Sequence, residues 1–204
     1  MLAERQTAGR GSHGRRWESP AGNLYLSALL RPALPAAQAG RLGLMAAVAA
    51  AGALAPHAPG LTLKWPNDIL LGGAKLAGIL TDSEAAPDGS LGWVIFGIGV
   101  NLAHAPDLPG RRTTCLGADA PAPSAFAAAL LAQVAHWYGR LLAEGFAPVR
   151  AAWLARAHPP GTSLRLARPD GVVEGRFAGL AEDGRLLLAD AAGHVQAHGA
   201  GEIA

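Results

Sequence analysis

Cysteine and lysine are both scarce in this sequence of 204 residues. The single cysteine, Cys115, excludes an internal disulfide framework and indicates a reducing, cytoplasmic setting. No signal or transit pattern is evident at the start, where Glu4 and Arg5 occur early. Lysine occurs only at positions 64 and 75, against fifteen arginines. Because a compact ammonium binds anions differently from a planar guanidinium, the two lysines are candidate site residues.

Charge and long apolar runs are also limited. Charged residues make up 16% of the chain and the formal net charge is +2, which is too weak a field to indicate a nucleic-acid partner. Half of the residues are hydrophobic, which argues against disorder. The longest apolar stretch, Gly43 to Ala55, has thirteen mostly small residues and predicts a buried helix rather than a membrane span.

Clusters of metal ligands or nucleophiles are lacking as well. Of the seven scattered histidines, only His194 and His198 have a metal-like interval. They fall in a predicted strand, where positions i and i+4 lie about 13 Å apart, too far to chelate. Cys115 has no neighbouring base, and no G-x-S-x-G motif occurs. The sequence therefore predicts neither a metal held by protein side chains nor a covalent nucleophile.

The segment Lys64-Trp65-Pro66-Asn67-Asp68-Ile69 carries the clearest chemical signal. Apolar residues at 61, 63 and 65 alternate with polar ones, which predicts a strand with Lys64 on its polar face. Pro66 cannot donate to a sheet ladder, so this strand must end there. An ordinary surface lysine at a strand end is the alternative interpretation. We favour a lysine that acts on an anionic substrate.

A glycine-rich loop with three arginines spans Gly9 to Trp17. Although it matches G-x-G-x-x-G, no apolar helix follows, which excludes a dinucleotide-binding turn, and no Gly-Lys-Ser/Thr closes a P-loop. Its backbone can approach an anion while Arg10, Arg15 and Arg16 donate charge-assisted hydrogen bonds. A solvated, flexible turn is the alternative. Trp17 is either a stacking surface for a nucleobase or a core residue.

The remaining chain alternates apolar strands, helices and turns. Gly97 and Gly99 alternate in one strand, which indicates that another chain or a ligand lies against it. Ser124 is a plausible helix N-cap, and His158 to Gly161 is the best domain boundary. The predicted elements are strands 24–30, 61–65, 69–71, 75–81 and 93–99, helices 36–54, 124–143 and 148–157, a Gly72-Gly73 hairpin turn, and short C-terminal strands at 163–167, 172–180, 186–189 and 195–198.

Together, the Gly9–Trp17 loop, the Lys64–Ile69 block, the segment from Lys75 to Leu80 and the segment from Gly97 to Asn101 resemble the catalytic domain of biotin protein ligases. The resemblance covers nearly the whole chain. It implies an α+β fold, with a mixed β-sheet packed by helices (1–158) followed by a small SH3-like β-barrel (159–204).

The resemblance also implies an enzyme, a ligase with a two-step reaction. Biotin and ATP, with Mg²⁺, give biotinyl-5′-AMP, and a lysine of a biotin carboxyl carrier protein, from acetyl-CoA carboxylase or a related carboxylase, then accepts the biotinyl group. By resemblance, Lys64 contacts the biotin carboxylate and the α-phosphate, and Arg10 is the second catalytic residue. The resemblance assigns contacts with biotin and biotinyl-AMP to Gln6, Gly9, Arg10, Gly11, Ser12, Lys64 and Gly78. It assigns contacts with ATP to Arg15, Trp17, Asn67, Lys75 and Asn101.

Two departures from the family pattern are visible. Ser12 stands where family members commonly have arginine, with Arg15 or Arg16 available to compensate. The chain also starts after the strand and helix that carry a Ser/Thr-Asn element, and no DNA-binding helix-turn-helix precedes it, so we expect no DNA partner and no repressor role. A homodimer is compatible with the resemblance. Two alternatives stay open, namely a lipoate or octanoate ligase or transferase, and an inactive adenylate- or carrier-binding module.

Overall fold

The computed structural model describes residues 1–203. Three short 3-10 turns accompany the main elements, at Ser12–Gly14, Ala36–Gln38 and Gly117–Asp119. The strands are β1 (Leu2–Ala3), β2 (Leu24–Leu30), β3 (Thr62–Lys64), β4 (Asp68–Leu71), β5 (Ala74–Ala85), β6 (Leu91–Val100), β7 (Ser163–Arg168), β8 (Gly171–Leu180), β9 (Leu186–Ala189), β10 (Val195–His198) and β11 (Glu202–Ile203), and the helices are α1 (Ala39–Leu54), α2 (Pro123–Glu144) and α3 (Ala147–Leu154).

The first sheet has six strands in the order β1-β2-β6-β5-β4-β3. Its strand pairs are antiparallel, and an isolated parallel bridge joins Lys75 on β5 to Thr113 in a later loop. The predicted hairpin between β4 and β5 is present. Gly72 and Gly73 have φ values of 58° and 76°, and glycine adopts this left-handed backbone without steric cost.

Helix α1 forms the centre of the core, as the sequence predicts. It packs against α2, α3 and strands β3 to β6, and eleven of its sixteen residues are buried. The segment Ala36–Leu54 is long and apolar enough to cross a membrane, but 61% of its most apolar stretch is buried inside the protein. Core helices of soluble proteins pass the same test, so this is weak evidence for a span. Its small side chains allow close packing.

The alternation around Lys64 is confirmed. Leu61, Leu63 and Trp65 are buried, whereas Thr62 and Lys64 are half-buried on the opposite side of β3. The strand ends before Pro66, as predicted, because proline cannot continue the ladder.

The predicted N-cap of α2 is wrong. The helix begins at Pro123 with Ala122 at the cap position, and no side chain caps it. Proline suits the first helical position because its missing N–H has no partner there in any helix. Ser124 therefore lies inside the first turn. The next helix, α3, ends at Leu154, three residues before the predicted end.

A second, five-stranded antiparallel sheet follows, in the order β10-β9-β8-β7-β11. Four of its strands match the prediction within one residue, and β11 was not predicted. The pairings described for residues 1–203 form an open sheet, without a pair between β10 and β11 that would close a barrel. Two of the hydrogen bonds that join this sheet to residues 1–158 are accepted by carbonyl oxygens of the sheet segment. Trp65 Nε1 donates to Gly184 at 3.3 Å, and Arg150 Nε donates to Leu180 at 2.7 Å.

Candidate active site

One row of cross-strand neighbours defines the polar face of the first sheet. Lys64 on β3 pairs with Asp68, Asp68 with Gly78, Gly78 with Gly99, and Gly99 with Tyr25 on β2. Side chains directly opposite each other in adjacent strands share one face of a sheet. The two glycines therefore leave a floor without side chains between the charged pair at one end and Tyr25 at the other.

Trp17 covers this glycine floor. A Cβ atom added to Gly99 would lie 2.7 Å from the Trp17 ring, and one added to Gly78 would lie 3.2 Å from it. Lys75 Nζ sits 5.3 Å from the ring centroid, within cation–π range. The alternating glycines thus reflect close approach by a side chain of the same molecule. The ligand or further chain proposed from the sequence stays a prediction, and both Gly97 and Gly99 line the cleft.

The glycine-rich loop folds into a tight hairpin above the floor. An antiparallel bridge joins Arg10 to Arg16, and the Trp17 amide donates to the Gly9 carbonyl at 2.9 Å. The Arg15 guanidinium is held inside the loop, with Nε donating to the Ser12 carbonyl at 3.1 Å and Nη2 to Ser12 Oγ at 2.7 Å. The flexible turn is therefore ordered by hydrogen bonds of its own. Arg15 lies directly on Ser12, the position where the family pattern has arginine.

Lys64 is a half-buried cation. Burial lowers the pKa of its ammonium group, the negative charges of Asp68 and Glu202 oppose that shift, and Lys75 and Arg111 add to it. Within residues 1–203 the ammonium makes no ion pair shorter than 4.0 Å. A partly desolvated cation without a close protein partner is suited to an anionic ligand.

Asp68 is the buried carboxylate of the site. It is 6% exposed, and its Oδ1 lies 2.5 Å from Lys75 Nζ. The sequence placed it in the Lys64–Ile69 segment but did not identify it as a site residue. Its partner stands at the start of β5, so that the β4–β5 hairpin brings the two together. The ion pair fixes the lysine between the carboxylate and the Trp17 ring.

Three further predicted residues have partners within the protein. The Asn67 side-chain amide donates to the Ile79 carbonyl at 2.9 Å. Asn101 is 2% exposed, and its amide donates to the Thr114 carbonyl at 3.0 Å. Gln6 Oε1 accepts a hydrogen bond from Ser19 Oγ at 2.8 Å, which places the glutamine beside the glycine-rich loop. These bonds hold loops in place around the site.

A cleft of about 380 Å³ brings most of the predicted residues together. Gly9, Arg15, Lys64 and Asn101 do not line it, although Arg15 contacts Ser12 in its wall. The lining includes eight of the predicted residues, Gln6, Arg10, Gly11, Ser12, Trp17, Asn67, Lys75 and Gly78. It also includes Gly97 and Gly99, the glycines whose alternation the sequence pointed out, and Tyr25, Ser27, Leu80, Asp82 and Ile95, which the sequence did not single out.

A larger groove of about 580 Å³ adjoins the cleft. Both are lined by Ser12, Asn67, Ile79 and Leu80, so the cleft and groove meet at these residues. The far wall of the groove is formed by residues 183–185 and 199 of the second sheet. The C-terminal unit therefore lies close to the cleft, although its sequence offered no evident reactive group.

Carboxylates near the cleft do not form a set of metal ligands. Among residues 1–203, no group of three or more His, Cys, Asp or Glu side chains could hold a metal ion. Asp68 is engaged by Lys75, and Glu202 by Arg15 and Arg111. A Mg²⁺ ion accompanying a nucleotide would depend on phosphate oxygens and water for most of its ligands, which is common for this cation.

The cleft is lined by an arginine-bearing glycine loop, and the half-buried Lys64 stands at one end of the row of strand neighbours that contains the glycine floor. Residues 1–101 match the model of the biotin/lipoate A/B protein ligase family, and residues 163–204 match the biotin protein ligase C-terminal domain. The chain is 41% identical over 204 residues to a biotin–[acetyl-CoA-carboxylase] ligase of Paracoccus denitrificans, covering 95% of this chain and 85% of that protein. The chain belongs to the biotin protein ligase family.

Further relatives and solved structures support this family membership. A bifunctional ligase/repressor of Bacillus subtilis is 34% identical over 198 residues, and the match covers 92% of this chain but 60% of that protein. A biotin protein ligase from Aquifex aeolicus, solved in complex with biotin and ATP, superimposes with a TM-score of 0.82 at 26% identity, covering 100% of this chain and 86% of that one. A Leishmania major ligase bound to biotinyl-5-AMP gives a TM-score of 0.58 at 27% identity, covering 98% and 87%.

Proposed function

We propose that this protein attaches biotin to a carrier-protein lysine in two steps. In the first, a carboxylate oxygen of biotin attacks the α-phosphorus of ATP, the bond to pyrophosphate breaks, and biotinyl-5′-AMP forms. In the second, the lysine amine attacks the acyl carbon, AMP leaves with the bonding electrons, and a proton is released. The observation that carries the proposal is the half-buried Lys64 ammonium beside a glycine floor and an arginine-bearing loop.

The first step brings two anions together, so the site must offset their repulsion. At about 4 Å and an effective dielectric of about 20, one cation interacts with one phosphate charge by about 4 kcal/mol before desolvation. Attraction that grows as charge accumulates on phosphorus lowers the barrier. Lys64 and Arg10 are the residues we assign to this role, and a half-buried lysine is only weakly screened by solvent.

The remaining site residues divide between the two ends of the cleft. Gln6, Gly9, Gly11, Ser12 and Gly78 are assigned to biotin and biotinyl-AMP, because all of them except Gly9 line the cleft and Gly9 lies in the same loop. The nucleotide side is assigned to Arg15, Trp17, Asn67, Lys75 and Asn101. The Lys75–Asp68 ion pair supports a positioning role for that lysine, since it holds the Trp17 ring.

The acceptor we propose is a biotin carboxyl carrier protein of acetyl-CoA carboxylase or a related carboxylase. The similarity to the biotin–[acetyl-CoA-carboxylase] ligase of Paracoccus denitrificans supports this assignment. The groove that meets the cleft at Ser12 and Asn67 offers a protein surface close to the reacting carbonyl. We also propose a cytoplasmic enzyme that uses Mg²⁺-bound ATP and has a domain division near residue 158.

Biotin-dependent release of pyrophosphate from ATP tests this function, with lipoate and octanoate as control acids. We expect release with biotin, little with the other two acids, and transfer to a carrier domain when one is added. Release with lipoate or octanoate in preference to biotin would indicate the lipoate-type ligase instead. Binding of ATP or carrier without any release would indicate an inactive binding module.

A further inference from the structure

Glu202 lies on the last strand of the C-terminal sheet, yet its carboxylate reaches the glycine-rich loop. Oε2 accepts a hydrogen bond from Arg15 Nη1 at 2.7 Å, and Oε1 accepts one from Arg111 Nη2 at 3.1 Å. His13 Nδ1 lies 3.9 Å from Oε2. The glutamate side chain is only 21% exposed. One carboxylate thus joins three segments that are far apart in sequence, at the edge of the candidate active site.

The charges around Glu202 are predominantly positive. Lys64 is close enough for the two groups to affect each other's pKa, and Arg15 and Arg111 bind the carboxylate directly. Burial pulls the pKa of Glu202 upward, but the hydrogen bond from Arg15 and the charges of Arg111, Arg15 and Lys64 outweigh it, so the pKa lies below its ordinary value. Without this carboxylate, several cations would face one another with little compensation.

We propose that Glu202 is a positioning residue, which holds Arg15 and Arg111 beside the cleft so that both guanidinium groups are in place before ATP arrives. The proposal rests on the adenylation function above, and it makes the C-terminal sheet a part of the nucleotide site. Preordering two arginines lowers the entropy that ATP binding would otherwise lose in ordering them.

Arg15 and Arg111 have enough N–H groups to bind Glu202 and phosphate oxygens at the same time, so Glu202 need not compete with ATP for them. A guanidinium has five N–H groups. Arg15 uses Nε, Nη1 and Nη2 once each, and Arg111 uses one N–H on Glu202. Both arginines therefore keep free N–H groups for phosphate oxygens while the glutamate stays bound.

Glu202→Gln, which keeps size but removes charge, tests the proposal through steady-state pyrophosphate release. We expect the KM for ATP to rise about fivefold, the size expected for a partly exposed charged pair, with kcat and the KM for biotin little changed. Glu174→Gln is the matched control, because Glu174 forms an exposed ion pair with Arg165 at 3.0 Å on the same sheet. An unchanged or lowered KM for ATP in Glu202→Gln would overturn the proposal.

Limited trypsin digestion without ligands separates this proposal from the proposed function. Trypsin cuts after arginine, and the loop offers Arg10, Arg15 and Arg16. We expect faster cleavage there in Glu202→Gln than in the parent or Glu174→Gln. Equal rates overturn the positioning role whatever the turnover, whereas faster cleavage in a protein without biotin-dependent release counts against the function alone. If Glu202→Gln does not fold, Glu202→Asp, which shortens the reach of the carboxylate, carries the same expectations.

Discussion

The half-buried position of Lys64 lowers the stability of the fold but suits the residue to bind an anionic substrate. Burial disfavours its charged form and lowers its pKa, so the folded protein holds this proton less tightly than the unfolded chain does. The resulting penalty is fully present below the folded pKa and is relieved as the pH rises toward the ordinary value of 10.5. Asp68 and Glu202 limit the penalty. An anionic substrate would reduce it further.

The lowered pKa of Lys64 predicts an early alkaline limb in the pH profile. If the ammonium form binds the anions, kcat/KM for biotin-dependent pyrophosphate release falls as the pH rises through the folded pKa, below the ordinary lysine range. Asp68→Asn removes the largest charge that supports the ammonium, so the limb moves to lower pH. A limb at the ordinary lysine value, unmoved by Asp68→Asn, would contradict this account.

Among the individual site residues, the sequence identified Lys64 through the scarcity of lysine and the alternation of apolar and polar residues around it. Asp68 was not identified as a site residue, because its partner Lys75 becomes a neighbour only when β4 and β5 pair. Glu202 could not be found, since its Arg15 partner is 187 residues away in sequence. Local patterns predict which face a side chain occupies, but not which distant charge meets it.

Strand β6 shows how an element is shaped by a neighbour. Gly97 and Gly99 face the cleft side, but only Gly99 lies under the Trp17 ring. A Cβ on Gly97 would meet its nearest atom, the Leu80 carbonyl oxygen, at an ordinary 3.7 Å. The sequence predicted a close approach at this strand but not the contribution of Trp17, because nothing in the local pattern indicates that a loop eighty residues earlier folds back onto it.

Alanine substitutions at these two glycines give a matched pair. Gly99→Ala would place Cβ 2.7 Å from the Trp17 ring, so we expect it to lower the free energy of unfolding by about 1–3 kcal/mol. Gly97→Ala has room, and we expect a change of less than about 1 kcal/mol. Urea unfolding of both variants measures the difference. Equal effects would mean that Trp17 does not rest on the glycine floor in solution.

The two sheets share one hydrophobic core in the part of the chain that the structure describes. Trp153 on α3 packs near Phe177 on β8, with ring centroids 6.5 Å apart, and Trp65 donates to the Gly184 carbonyl. A boundary near residue 158 fits the change from helices to short strands. The pairing order within each sheet depends on long-range contacts, which periodicity alone does not predict.

Ending the chain after residue 158 tests how strongly the two units depend on each other. The cut exposes Trp153 and leaves Trp65 Nε1 and Arg150 Nε without their carbonyl acceptors, which costs stability. We expect the shortened protein to lose cooperative unfolding, as measured by urea denaturation followed by circular dichroism. A cooperative transition at the parent's midpoint would show that residues 1–158 fold independently.

The most direct test of Lys64 as the cation that promotes adenylation is to detect the adenylate itself. The protein is incubated with biotin, ATP and Mg²⁺ without carrier, and biotinyl-5′-AMP is quantified by mass spectrometry beside Lys64→Met, which keeps an unbranched side chain but removes the charge. We expect the adenylate in the parent and at least about a hundredfold slower formation in the variant. Equal rates of formation would contradict the assignment of Lys64 as the cation that joins the two anions.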